Sequence, residues 1–137
     1  MPDLRTFRPG STRIVAYAVA VIMLVLTAVI GLSLPDEIYF TTAETVTLWI
    51  LIAIVLALLH GVGRSLVRAT DEGVEVVNGY RRRLIPWADI AGFAMNTGAP
   101  WPTLVTKDDD RINLFAIQGS DGRYAREAVE YLRGRLP

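Results

Sequence analysis

Five arginines lie in two short stretches of the chain, and a group this dense can bind a negatively charged ligand. Arg64 and Arg68 directly follow a long apolar run, and the other three form the sequence Arg81-Arg82-Arg83. An arginine close to an anionic lipid surface contributes about 1 kcal/mol to binding. The alternative is that these residues only fix membrane orientation and solvate a hairpin. We expect general attraction to anionic lipid rather than recognition of one headgroup.

Three consecutive aspartates, Asp108-Asp109-Asp110, are the densest acidic group in the chain. Hard cations favour carboxylate oxygens, but neighbouring side chains in a turn point in different directions. The residues also lack the spacing and the glycine of a calcium loop. We therefore expect a solvated hairpin tip rather than a metal site.

The single histidine, His60, lies near the end of the second apolar run. An ionisable group in a membrane helix can mark a proton path or a ligand site. Neither apolar run contains an acidic residue or a second histidine. A structural or interfacial role is expected, because haem ligation would need a partner chain.

No combination of residues in the sequence is typical of a catalytic centre. The chain shows no Ser, His and Asp arrangement, no phosphate-binding glycine loop and no metal-ligand spacing. It has no Cys, which excludes thiolate catalysis and disulfides. The 14 basic and 14 acidic residues balance, so no overall charge attracts nucleic acid. We expect no enzyme activity, no cofactor, no metal, no nucleic-acid partner and no small-molecule substrate.

Two uncharged apolar runs, residues 14–35 and 45–63, must position the arginines. Roughly 20 apolar residues in a helix cross a membrane, so both runs are predicted transmembrane helices. A cleaved signal peptide is the alternative for the first run. That run is longer than a signal-peptide core and has no clear cleavage site, and the second run would hold the protein in the membrane even after cleavage.

The distribution of arginine predicts the orientation of this hairpin. Residues 1–13 contain three arginines, whereas the loop 36–44 contains acidic residues and no Lys or Arg. Segments rich in Lys and Arg stay on the cytoplasmic side. We therefore expect a two-pass plasma-membrane protein with residues 1–13 and the C-terminal domain in the cytoplasm and the loop 36–44 outside.

Small residues recur at four-residue spacing along both apolar runs, a pattern that lets membrane helices approach closely. They are Ala53, Ala57 and Gly61 on the second run, with Ala16 and Ala20, then Thr27 and Gly31, on the first. Some of these residues must pack within the hairpin. The Ala53, Ala57 and Gly61 face is the candidate surface for another membrane subunit.

Residues 64–137 are predicted to form one small β-rich domain. Short apolar stretches predict strands at 65–69, 74–77, 81–85, 90–95, 103–107 and 111–116. Asn78-Gly79 is a typical hairpin turn, and a two-residue turn there would pair Glu75 with Arg82. Trp87 and Trp101 could face a ligand, but in a domain of this size we expect Trp87 in the core.

The last segment has the period of an amphipathic helix. Tyr124, Ala125, Ala128, Val129 and Leu132 share one face. Ser120 or Asp121 is the expected N-cap. The apolar face needs a partner, and the open face or end of the sheet is the nearest one. The expected fold class is thus a membrane α-hairpin plus an α+β domain, a small antiparallel sheet or partial barrel closed by a helix.

Three sequence elements carry a resemblance to a known family. They are Ala69-Thr-Asp-Glu-Gly-Val-Glu-Val-Val, Leu84-Ile-Pro-Trp-Ala-Asp-Ile and Asp110-Arg-Ile-Asn-Leu. Over residues 65 to 132 the chain resembles the bacterial pleckstrin-homology-like domain, most closely the actinobacterial group that includes low-molecular-weight protein antigen 6. In that group one or two membrane helices precede the domain.

The resemblance implies a curved antiparallel sheet capped by a C-terminal helix and used as a binding or scaffolding module without catalytic residues. Animal relatives of the fold often bind phosphoinositide headgroups through basic residues near the first hairpin. Arg81 to Arg83 lie in that region here, but the chain lacks a clear spaced Lys-x-Arg signature.

Two functions fit these observations. The first is a non-catalytic scaffold or accessory subunit of a larger plasma-membrane complex, possible examples being respiratory and transport complexes. The second is a membrane-anchored sensor that binds anionic lipid headgroups at the inner leaflet. Purification in mild detergent would separate them, because the first predicts a stoichiometric membrane partner and the second predicts a monomer that retains anionic lipid.

Overall fold

The structure, a computed structural model, describes residues 4–137. The elements in chain order are β1 (Thr6–Phe7), α1 (Gly10–Ser33), α2 (Thr42–Arg64), β2 (Leu66–Ala69), β3 (Gly73–Asn78), β4 (Arg81–Pro86), β5 (Ile90–Ala94), β6 (Thr103–Thr106), β7 (Arg111–Asn113) and α3 (Arg123–Gly134). Short 3-10 helices at Trp87–Asp89 and Gly119–Asp121 precede β5 and α3. The predicted fold class is confirmed: a hairpin of two long apolar helices is followed by antiparallel sheets and a C-terminal helix.

Helices α1 and α2 are both long and apolar enough to cross a membrane, and little of either is buried. In the most apolar stretch of each, 6% of α1 and 17% of α2 is buried, whereas the core helix of a soluble protein is mostly buried. Reduced exposure recurs every three or four residues, at Ala16, Ala20, Met23 and Thr27 on α1 and at Ile52, Leu56, Leu59 and Gly63 on α2. These residues form the seam between the two helices.

A capping box starts α2. The Thr41 hydroxyl accepts a hydrogen bond from the Glu44 backbone N–H at 3.2 Å, and the Glu44 carboxylate accepts one from the Thr41 backbone N–H at 2.8 Å. This reciprocal pair satisfies two donors that a helix start leaves unpaired. The helix therefore begins at Thr42, slightly before the apolar run.

The first sheet has the strand order β1-β2-β3-β4, and β1 comes from the segment that precedes the hairpin. Thr6 lies opposite Arg68, and Phe7 lies opposite Val67. The Ala69 N–H extends this pairing with a 2.9 Å hydrogen bond to the carbonyl of Arg5. No strand was predicted in this segment, and its presence joins the chain before the hairpin to the domain that follows it.

The predicted register of the β3–β4 hairpin is wrong by two residues. Glu75 lies opposite Leu84, not Arg82, and Asn78 lies opposite Arg81. The loop is therefore Gly79-Tyr80, and Gly79 has φ +63°, which suits a two-residue turn with glycine at its first position. The expected ion pair still forms on the diagonal, with Arg82 Nε 2.6 Å from Glu75 Oε1, because diagonal neighbours are within reach of a long side chain.

The second sheet has the strand order β5-β6-β7, with a bulge between Ile90 and Gly92. The strand predicted at 111–116 ends at Asn113, because the chain turns there into the core. Leu114 is fully buried and its N–H bonds to the carbonyl of Pro102. The domain thus has two sheets rather than one, with the core between them.

Helix α3 covers this core with the face predicted from its period. Ala125, Ala128, Val129 and Leu132 are buried there. The predicted side-chain cap is wrong, because the N-cap is Gly122, which makes no side-chain bond. Trp87 is half-buried against the core, and its indole N–H donates to the Thr70 carbonyl at 2.8 Å.

Candidate functional site

The β3–β4 loop packs directly on the end of α2. The Tyr80 hydroxyl donates to the Ala57 carbonyl at 2.5 Å, and the ring lies over Gly61, where a Cβ would be 3.0 Å from Tyr80 Cε2. The Ser65 hydroxyl accepts from the Gly79 N–H and donates to the Gly61 carbonyl, both at 3.0 Å. The loop is thus fixed to the helix by hydrogen bonds as well as by packing.

A second set of contacts links α1 to the same end of α2. The Tyr17 hydroxyl lies 3.1 Å from His60 Nδ1, and a Cβ at Gly63 would lie 2.5 Å from Tyr17 Cζ. The His60 ring lies between Tyr17 and Tyr80, with ring centroids 6.1 and 6.4 Å away. His60 therefore packs and hydrogen-bonds at the junction between hairpin and domain.

The turn before α3 contacts the start of α1. The Ser11 hydroxyl donates to Asp121 Oδ1 at 3.0 Å, and the Arg8 backbone N–H donates to the Tyr124 hydroxyl at 3.3 Å. A carboxylate beside the first turn of a helix is favourable because the helix dipole is positive there. Both helices of the hairpin are thus attached to the domain.

The five arginines are divided among three environments. Arg68 and Arg82 both pair with Glu75, at 3.4 and 2.6 Å. The Glu75 side chain is only 9% exposed, so its charge is held by these two guanidinium groups. Arg64 lies over the Tyr80 ring, with Cζ 5.1 Å from the ring centroid.

Arg81 and Arg83 lie on the other face of β4, along an open groove of about 610 Å³. Their face is the core face of the sheet, because Arg83 lies opposite the buried Val76. Ile112 and Phe115 line the facing wall. Within residues 4–137, neither Arg81 nor Arg83 forms an ion pair.

Asn78 closes the end of this groove by bridging the two sheets. Its Nδ2 donates to the Asn113 carbonyl at 2.6 Å, and its Oδ1 accepts from the Phe115 N–H at 3.3 Å. These bonds hold β3 beside the end of β7. The sequence marked Asn78 only as a turn residue, since its partners lie more than thirty residues away.

An apolar hollow of about 420 Å³ adjoins the groove at the end of α2. It is lined by Leu58 and Val62 of α2 and by the aromatic rings of Tyr80, Trp101 and Phe115. Trp101 packs edge-on against Phe115, with ring centroids 4.6 Å apart. The residues Asn78 and Phe115 line both the hollow and the groove.

The small-residue face of α2 lies outside the seam with α1. Ala53 and Ala57 are exposed, whereas Gly61 is buried beneath Tyr80. The seam instead uses Ala16 and Ala20 of α1.

The three aspartates lie at the tip of the β6–β7 hairpin, as their position in the sequence indicated. The Thr106 hydroxyl accepts from the Asp110 N–H at 3.0 Å, and Asp109 has φ +64°, a conformation that Asp adopts more readily than most residues. In the described part of the chain, no three His or acidic residues are grouped closely enough to hold a metal ion.

The family model described as "Bacterial PH domain" matches residues 64–135, just over half of the chain. The protein belongs to the bacterial PH domain family. The resemblance found in the sequence is confirmed at this level. The PH-like fold is generally non-catalytic, and β1 adds to this PH domain a strand from outside the matched residues.

Relatives of this bacterial PH domain protein occur in mycobacteria. The uncharacterized proteins Rv1417 of Mycobacterium tuberculosis and Mb1452 of Mycobacterium bovis are each 28% identical over 132 residues. The alignments cover 94% of this chain and 86% of each relative, so the similarity extends over the hairpin as well as the PH domain. No solved structure matches the chain significantly.

Proposed function

We propose that this protein is a non-catalytic scaffold of the plasma membrane, with a hairpin that crosses the bilayer twice and binds another membrane subunit, and with a PH domain held against that hairpin. The observation that carries the proposal is the pairing of β1 with β2 across the hairpin. This pairing joins the chain before α1 to the strand after α2 within one sheet of the PH domain. The Tyr80 contact with α2 fixes the orientation of the PH domain relative to the hairpin. A simple tether would not need such contacts.

The proposed orientation has both termini in the cytoplasm. Arginines flank the hairpin on the side of the PH domain, and the loop 36–44 has none, which agrees with the positive-inside rule. The pairing of β1 with β2 supports an even number of crossings, because both ends of the hairpin must then lie on one side.

The proposed partner is a helix of another membrane subunit, which makes this protein an accessory chain of a larger complex. Ala53 and Ala57 are exposed and outside the α1–α2 seam. Small residues allow a second helix to approach closely, and close packing drives association where the hydrophobic effect is absent.

The test is purification of the tagged full chain in mild detergent, with quantification of the chains that co-migrate. We expect a stoichiometric membrane partner, and Ala57→Leu should reduce its capture because the larger side chain separates the helices. Ala28→Leu on α1 is the matched control, since Ala28 is also exposed. Absence of a stoichiometric partner, or equal capture by both variants, would contradict the proposal.

A second candidate function is binding of anionic lipid at the inner leaflet. The observation that favours it is that Arg81 and Arg83 line the groove without a carboxylate partner among the described residues. Arg64 and the partly exposed Arg68 and Arg82 add positive charge nearby. In the same purification, a monomer that retains anionic lipid would support this function over the first.

A further inference from the structure

We infer that one anionic phospholipid binds across the groove and the apolar hollow, with its phosphate at Arg81 and Arg83 and an acyl chain between α2 and the PH domain. This inference rests on the second candidate function, binding of anionic lipid, and adds to it a defined site. The surface joins two features that each match one part of a phospholipid.

The groove matches the phosphate. Arginine guanidinium groups are planar and bind phosphate through two parallel hydrogen bonds. The charged residues that line the groove are Arg81, Arg82 and Arg83, and no carboxylate lines it. Arg82 is paired with Glu75, which leaves Arg81 and Arg83 for a ligand. Arg81 and Arg83 are exposed. They are two residues apart in β4 and therefore lie on the same face of the strand, so both can reach one ligand in the groove.

The hollow matches an acyl chain. Leu58 and Val62 are 65% and 41% exposed, and the rings of Tyr80, Trp101 and Phe115 line the same hollow. It lies along the last two turns of α2, where a membrane helix leaves the hydrocarbon layer. Aromatic side chains favour this depth because one end is apolar and the other is wet.

The hollow and the groove follow each other in the same order as the acyl chain and the phosphate of a lipid in the leaflet. The hollow lies beside α2, and the groove continues from it along β4, away from the helix, since Arg83 is about 7 Å farther along the strand than Arg81. A soluble anion would occupy the groove without needing the hollow.

The experiment measures lipid binding to the detergent-purified full chain by native mass spectrometry, with phosphatidylglycerol and phosphatidylcholine of identical acyl chains. We expect one phosphatidylglycerol to bind at least tenfold more tightly than phosphatidylcholine. Replacing both groove arginines, Arg81→Gln with Arg83→Gln, should weaken phosphatidylglycerol binding about 25-fold, or about fivefold for each charge. Lys107→Gln with Arg111→Gln removes two exposed charges outside the groove and is the matched control.

A second variant tests the hollow. Val62→Phe should fill the hollow and weaken binding of both lipids, whereas Val46→Phe, at an exposed position near the start of α2, should leave binding unchanged. Unchanged thermal unfolding of each variant shows that the fold is intact. Both effects together support a seated phospholipid.

Three results would overturn the inference: equal affinity for the two lipids, an equal loss in the control pair of charge variants, or no effect of Val62→Phe. Binding of inorganic phosphate that depends on Arg81 and Arg83, without a lipid preference, would assign the groove to a soluble anion instead. Partner capture measured on the same variants separates this result from the proposed scaffold function. Lost lipid preference with intact capture refutes only the lipid site.

Discussion

Phe7→Ala tests whether the segment before the hairpin is a strand of the PH domain. Phe7 is 5% exposed, and its ring packs edge-on against Tyr124 and Tyr131, with centroids 6.0 and 5.6 Å away. Truncation of a buried Phe to Ala costs about 3–5 kcal/mol. Because β1 has two residues and lies at a sheet edge, neighbouring groups can relax, and we expect a loss of about 3 kcal/mol.

That loss is a large part of the total stability of a small domain, which is commonly about 5–15 kcal/mol. At the scale of 4–8 °C per kcal/mol for small domains, the midpoint of thermal unfolding should fall by on the order of 15 °C. The fluorescence of Trp87 and Trp101 reports this transition in the full chain, because both side chains lie in the PH domain. Trp49 in α2 contributes a background that unfolding of the PH domain leaves unchanged.

Hydrogen exchange locates the effect. The Ala69 N–H donates to the Arg5 carbonyl, so Phe7→Ala should increase exchange at Ala69. Leu4→Ala is the control, since Leu4 is 45% exposed and should change stability by less than about 0.5 kcal/mol. Equal stability of the two variants, with unchanged exchange at Ala69, would refute the assignment of β1 to the sheet.

Three further substitutions test the packing of the domain in the same unfolding assay. Gly73→Ala should cost about 3 kcal/mol because a Cβ there would collide with the backbone carbonyl of Ile85, whereas Gly92→Ala, with open space around it, should stay within about 1 kcal/mol. Asn78→Ala should cost about 2 kcal/mol through the loss of two hydrogen bonds between the sheets. Glu75→Gln should cost about 1 kcal/mol, less at high salt, because its arginine partners are 44% and 75% exposed. Neutral results for Gly73→Ala and Asn78→Ala, or a salt-independent cost at Glu75, would contradict the described contacts.

Local patterns in the sequence were sufficient for the elements that depend on neighbouring residues. The uncharged runs predicted both long helices, and the period of Ala125, Ala128 and Leu132 predicted the buried face of α3. The acidic tip of the β6–β7 hairpin was also correctly located. In each case the residues that give the signal lie within the element itself.

Elements that depend on distant partners were missed or shifted. Thr6 and Phe7 pair with residues 62 and 60 positions away, and a two-residue strand has no recognisable period of its own. The β3–β4 turn was predicted at Asn78-Gly79, but in the structure it lies at Gly79-Tyr80. There Asn78 bridges to β7 and Tyr80 packs on α2. Tertiary contacts thus decided a register that local turn preference could not.

The candidate site shows the same limit. The sequence grouped five arginines by proximity along the chain, but strand alternation places Arg82 on the outer face with Glu75 and Arg83 on the groove side. The apolar hollow combines residues of α2 with Trp101 and Phe115. These two aromatic residues are far from α2 in the sequence. No local pattern could have predicted this combination.

Labelling of single cysteines in intact cells tests the proposed membrane arrangement most directly, and the chain suits it because it contains no natural Cys. Tyr39→Cys lies in the loop between the helices, and Asp109→Cys lies at the tip of the β6–β7 hairpin. With a membrane-impermeant maleimide, we predict labelling at position 39 in intact cells and at position 109 only after the cells are opened. Labelling of position 109 in intact cells, or of neither position before the cells are opened, would contradict a two-pass hairpin with a cytoplasmic PH domain.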